Sequence, residues 1–133
     1  MRVIVAGSRT INDFNAIKQA IKESEFVISE IVCGGANGVD ALGEKFALEN
    51  NIPIKYFLAD WNNIKSQKVV VKYNKFGKPY NAIAGHWRNE EMAKYSNALI
   101  LVWDGKSKGS LNMKKNAEQY GLMIYEKIIE KAS

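Results

Sequence analysis

Hydrophobic and polar positions run along this chain in two rhythms, and the switches between them mark out the elements. Arg2 to Ala6, RVIVA, is a β-branched run without polar alternation, the pattern of a strand buried on both faces. From Asp13 to Ser24 the period lengthens, and Phe14, Ile17, Ala20 and Ile21 recur at helical spacing. Val27 to Cys33 predicts a second strand. Val39 to Asn50 predicts a helix with Val39, Leu42, Phe46 and Ala47 on one face, and Ile54 to Leu58, after Pro53, predicts a third strand. Glu90 to Tyr95 reads as a short helix, Ala98 to Trp103 (ALILVW) as a fourth buried strand, and Leu111 to Tyr120 as a helix that Gly121 stops. Leu122 to Tyr125 completes the strands, with Glu126 to Ser133 as a short polar helix or tail. Strand and helix alternating from the first residue predict one α/β domain over 1–133. Its expected form is Rossmann-like, a mostly parallel five-stranded sheet with helices on both faces.

Residues 60–84 break that rhythm. Trp61, then Val69 to Val71, then Lys75, Phe76, Gly77 and Lys78 between two Tyr-Asn pairs predict a flap or hairpin turning at Gly77. Its interleaved Lys and aromatic residues fit either a packed flap or a surface for nucleic acid.

The breaks between elements carry the candidate chemistry. Ile31 to Asp40, IVCGGANGVD, passes from an apolar run through Gly34, Gly35 and Gly38 into a helix, a junction where bare backbone and unpaired N–H groups attract anions. Asn37 and Asp40 capping that helix is the plainer reading. Comparable polar turns stand at Gly7 to Thr10, Gly85 to Asn89 and Gly105 to Ser110. If the strands are parallel, all four turns face one edge of the sheet, where ligands bind. Arg9 and Arg88 would hold phosphate as planar forks, with Ser8, Thr10, Ser107 and Ser110 donating hydroxyls, and Asp40 or Asp104 would accept from ribose. His86, the single histidine, fits a polarising role or a structural one beside Trp87. Trp61 and Trp87 fit base stacking or plain packing.

Composition narrows the setting. With 47% hydrophobic and 25% charged residues the chain has the make-up of a water-soluble domain, and no apolar run approaches the ~20 residues of a membrane span. The N-terminus entering a strand directly predicts no signal peptide, and the single Cys33 forms no internal disulfide, so a cytoplasmic setting is expected. Net charge is +5, from sixteen scattered Lys and three Arg, so charge alone does not argue for nucleic acid. Gly105 to Ser110 places its Lys-Ser pair before the last glycine, unlike a P-loop. With no paired-histidine site, nucleophile elbow or GxGxxG either, no metal and no cofactor is expected.

Taken in order, AGSRT (Ala6 to Thr10), GGANGVD (Gly34 to Asp40, including Ala36), ADW (Ala59 to Trp61), AGHWRNEEM (Ala84 to Met92) and DGKSKGS (Asp104 to Ser110) resemble successive motifs of the YspA/YpsA-related branch of the SLOG superfamily. That superfamily is named for the DNA-processing protein Smf/DprA and the Lonely Guy phosphoribohydrolases. The resemblance implies a homo-oligomer whose crevice binds a nucleoside phosphate, a cyclic nucleotide or an ADP-ribose type of ligand. It also implies a role as sensor or sequestering protein in conflict between phage and bacteria, in the host cytoplasm if phage-encoded. In the Lonely Guy enzymes an HxRK segment supplies a catalytic arginine, and PGGxGTxxE supplies phosphate-binding backbone and a catalytic glutamate. HWRN, His86 to Asn89, is similar to the first, which places Arg88 at the arginine. Gly109 and Ser110 match the GT pair, but the glutamate position falls on Met113, whose thioether neither stabilises an oxocarbenium centre nor orients water. A hydrolase reading therefore needs a substitute carboxylate beside Arg88, from Asp104, Glu90 or Asp40. A third reading, after the DNA-processing relative, is single-stranded nucleic-acid binding through the Lys-rich flap.

Overall fold

Because side chains alternate across a strand, each central strand feeds two cores. On β1 (Arg2–Gly7), Val3 and Val5 join a cluster with Ile17, Ala20 and Ala47, while Ile4 and Ala6 join another with Met92, Ala93 and Met113. β6 (Ala98–Trp103) repeats the division, with Ala98, Ile100 and Val102 on the first side and Leu99, Leu101 and Trp103 on the second. This computed structural model describes residues 1–60, 62, 70–81 and 83–129. Helices α1 (Phe14–Ser24) and α2 (Val39–Glu49) cover the first face; α3 (Ala84–Tyr95) and α4 (Lys108–Gln119) cover the second. With β2 (Glu30–Cys33), β3 (Ile54–Tyr56) and β7 (Met123–Ile128) the sheet has the order β3-β2-β1-β6-β7, and every pairing in it is parallel. The five-stranded, Rossmann-like plan expected from the sequence is therefore the observed one. Among the described residues no helix is long and apolar enough to cross a membrane.

Helix ends follow local chemistry. Asp13 caps α1, its Oδ1 accepting the Ala16 N–H at 3.2 Å. Gly121, at φ 71°, ends α4 as expected: its N–H bonds the Glu118 carbonyl while the Leu122 N–H reaches back to Ala117. The expected hairpin also forms, from β4 (Val71–Tyr73) and β5 (Pro79–Asn81), antiparallel and turning at Gly77. Asn74 Oδ1 accepts the Phe76 and Lys78 N–H groups there.

Two elements depart from expectation. Gly85 to Asn89 is no turn, because α3 begins at Ala84. The buried stripe of that helix is Ala84, Gly85, Asn89, Met92 and Ala93, and a stripe opening on glycine and asparagine is invisible to a search for apolar periodicity. Second, Glu126, Lys127 and Ile128 belong to β7 instead of starting a terminal helix or tail. Their charges are paired at the sheet edge: Glu126 accepts from Trp103 Nε1 at 2.7 Å and meets Lys114 Nζ at 3.0 Å, and Lys127 bonds Glu23 at 3.0 Å. Trp61 and the stretch from 63 to 69 lie outside the described residues.

Candidate functional site

In the order β3-β2-β1-β6-β7 the chain winds outward in both directions from β1 and β6, and a crevice forms beyond the carboxyl ends of that central pair. Its volume is about 310 Å³. The loop after β1 brings Gly7, Ser8, Arg9 and Thr10 to it. Ala36 and Asp40 come from the start of α2, Arg88, Asn89 and Met92 from α3, and Asp104, Ser107, Gly109, Ser110 and Met113 from the β6–α4 junction. A second crevice of about 370 Å³ adjoins it, lined by Arg9, Gly34, Gly35, Ala36, Asn37, Leu58, Ala59 and Arg88.

The loops support one another through backbone. Val39 N–H donates to Ser8 O at 3.3 Å and Ser8 N–H to Val102 O at 3.2 Å, which seats the Arg9 loop on the start of α2 and the end of β6. Ser8 Oγ accepts the Asp104 N–H at 3.1 Å, and Asp104 Oδ1 accepts from Lys106 and Ser107 at 2.8 and 2.9 Å. Those two N–H bonds hold the Asp104 carboxyl below the usual carboxylate range and make it the clasp of its own loop. Ser107 caps α4, its Oγ accepting both the N–H and the hydroxyl of Ser110.

Arg88 and Asp40 dominate the electrostatics. Arg88 donates from Nη1 to Gly34 O at 2.8 Å and from Nε to Asn89 Oδ1 at 3.2 Å. Burial pulls its pKa below the ordinary arginine value, and Asp40 counters that pull. Asn89 is committed to the framework as well, since its Nδ2 donates to Gly109 O at 3.3 Å and to Asn112 Oδ1 at 3.0 Å, tying Arg88 to the first turn of α4. Asp40 is only 6% exposed, and burial raises its pKa despite Arg88, the backbone hydrogen bonds of Ala36 and Gly34, and Arg9. Two guanidiniums, Arg9 and Arg88, and two carboxyls, Asp40 and Asp104, line the crevice, and the guanidiniums are the groups suited to an anion.

The raised pKa of Asp40 has a stability consequence. The folded protein binds this proton more tightly than the unfolded chain, so the group's stabilising contribution is complete below the unfolded carboxylate pKa of ~3.9. It is lost as pH rises through the higher folded value. Asp40→Asn, which keeps an acceptor oxygen without the charge, is expected to raise Tm at pH 7, with the gain shrinking toward pH 4. Thermal denaturation across that range checks this; a lowered Tm at neutral pH would contradict it.

Other residues singled out in the sequence take different places. His86 is exposed on α3 and Gly85 is buried within it, and neither lines either crevice. Gly38 lies beneath the loops as the N-cap of α2, with no side-chain capping bond, so Asn37 and Asp40 do not cap that helix. Gly105, at φ 80°, faces Ile128. Glu90 bonds Lys94 and Tyr120 on the outside of α3, away from the crevice. Cys33 is buried strand packing, its thiol pushed up to about 12 by burial. The crevice-lining residues absent from the site expected from sequence are Ala6, Met92 and Met113 and, in the second crevice, Leu58 and Ala59. Met92 follows Arg88 by one helical turn, a spacing that becomes meaningful only once α3 extends back to Ala84.

Residues 1–63 match the model of the YspA, cpYpsA-related SLOG family. They contain the Gly7 to Thr10 and Gly34 to Asp40 loops, and the fold brings Arg88 and the start of α4 to them from outside the matched stretch. Among solved structures, DNA processing protein A (DprA) from Streptococcus pneumoniae is similar, with a TM-score of 0.67 and 19% identity over 94% of this chain and 49% of that one. The chain thus spans about half the length of that structure, and at this identity the likeness is one of fold. No curated protein matches the chain.

Proposed function

We propose that this protein binds a phosphorylated, nucleotide-derived small molecule in the crevice beyond β1 and β6, as a sensor or a sequestering protein. The observation that carries the reading is the pairing of the half-buried Arg88 guanidinium with Arg9, over bare glycine backbone and the hydroxyl-bearing first turn of α4. These are groups that recognise phosphate through charge, forked N–H donors and a helix N-terminus together. Binding without turnover is favoured by Met113, 1% exposed in the crevice wall at the position corresponding to the Lonely Guy glutamate, and by Asp104, whose carboxyl clasps its own loop. The deciding experiment incubates the protein with nucleoside phosphates, cyclic dinucleotides and ADP-ribose derivatives and follows them by mass spectrometry before and after heat denaturation. A compound that disappears and returns intact supports this reading. Irreversible loss, with ribose 5-phosphate or a free base appearing, would mean a hydrolase instead, and no depletion of any compound would count against both.

A second reading rests on the hairpin, where Tyr73 and the 82%-exposed Phe76 stand among Lys72, Lys75 and Lys78. Exposed rings between lysines suit single-stranded nucleic acid. That reading requires oligonucleotide affinity that falls steeply with salt, and a flat salt response would exclude it.

A further inference from the structure

The two crevices share a border formed by Arg9, Ala36 and Arg88. Both arginines therefore stand at the junction of the chambers, neither at a far end. At about 310 and 370 Å³, each chamber alone lies at the low end of the roughly 300–1,000 Å³ of small-molecule sites. Their walls also differ. The inner chamber carries the buried Asp40 and the α4 hydroxyls. The outer one has the Gly34–Gly35 backbone and Leu58, which is 72% exposed and lies so close over Gly35 that a Cβ there would come within 2.7 Å of Leu58 Cδ2. An exposed leucine over bare backbone is a flat apolar shelf of the kind that accepts a ring.

Building on the nucleotide-binding reading, we propose that the ligand has two nucleoside-sized halves joined by a phosphate bridge. The bridge lies across Arg9 and Arg88, one half fills the inner chamber, and the other rests on the Leu58 shelf. A phosphodiester or pyrophosphate bridge matches two guanidiniums set between two chambers, where a terminal phosphate would call for arginines at a closed end. The outer shelf then acts as the specificity element. Mononucleotides fill one chamber and leave the other to water.

Calorimetric titration with the four nucleoside 5′-monophosphates, with ADP-ribose and with the linear dinucleotides pApA and pGpG tests this. At least one bridged compound is expected to bind roughly tenfold or more tightly than its better constituent monophosphate. Leu58→Ser, at an exposed position outside both cores, should remove most of that advantage and change monophosphate affinity by less than about twofold. Monophosphates that bind through Arg88 as tightly as any bridged compound would overturn the two-half ligand while leaving nucleotide binding intact. A bridged preference unaffected by Leu58→Ser would overturn the outer-chamber assignment. Binding by neither class would overturn the nucleotide reading itself.

Discussion

Replacing Arg88 with alanine is expected to weaken binding of a nucleotide ligand by about a hundredfold or more, and to lower Tm as well because the buried Asp40 loses its counter-charge. Its stem lies against the Gly34 backbone, where a Cβ on residue 34 would come within 2.8 Å of Nη1. The two hydrogen bonds to Gly34 O and Asn89 Oδ1 fix the plane of the guanidinium and use two of its five N–H donors. Two further N–H groups are free to donate to a phosphate, and their loss registers in affinity. Hydrogen bonds to charged groups contribute ~1.5–3 kcal/mol each, and two at the lower figure correspond to about a hundredfold. Arg88→Lys keeps the charge without the fork and should recover only part of the affinity. Calorimetry measures both variants and Tm separates unfolding from loss of contact. Unchanged affinity in a folded Arg88→Ala protein would remove the basis of the proposed function.

The fold was legible in the sequence wherever burial is two-sided and apolar. ALILVW at Ala98 to Trp103 and RVIVA at Arg2 to Ala6 could be nothing but central strands, and the glycine loops between them locate the sheet edge where the crevice lies. Legibility failed where polar groups do structural work. The first half of α3 buries Gly85 and Asn89 in place of large apolar residues, so a helix looked like a turn, and His86 looked like a site residue when it faces outward. Glu126 and Lys127 looked like a solvated tail because their partners, Trp103, Lys114 and Glu23, lie 12 to 104 positions away in sequence. Structural roles within the site were hidden in the same way. Asp104 and Asn89 line the crevice, and the tertiary hydrogen bonds by which they also hold a loop and an arginine could not be read from the sequence.

Gly38→Ala is expected to destabilise the fold by about 3 kcal/mol or more, lowering Tm by roughly 10 °C, and to weaken ligand binding with it. The residue sits at φ 71°, ψ −127°, a conformation outside even the left-handed helical well and closed to residues with a Cβ. A Cβ there would lie 2.4 Å from Ser8 O and 2.5 Å from the Arg9 carbonyl, and backbone cannot rotate aside as a side chain can. Relief requires the β1–α1 loop to lift from the start of α2. That movement would break the Val39 N–H to Ser8 O bond and carry Arg9 away from Arg88, so the fold and the crevice depend on the same bare contact. Gly109→Ala supplies the contrast. It lies on the rim of the same crevice, in the first turn of α4, with nothing within 4 Å of an added Cβ, so alanine's better helix propensity should leave Tm unchanged or raise it slightly. Thermal denaturation of the two variants side by side distinguishes a glycine that packs from one that merely opens a helix. Equal Tm values would mean that the close approach at Gly38 does not hold the site together.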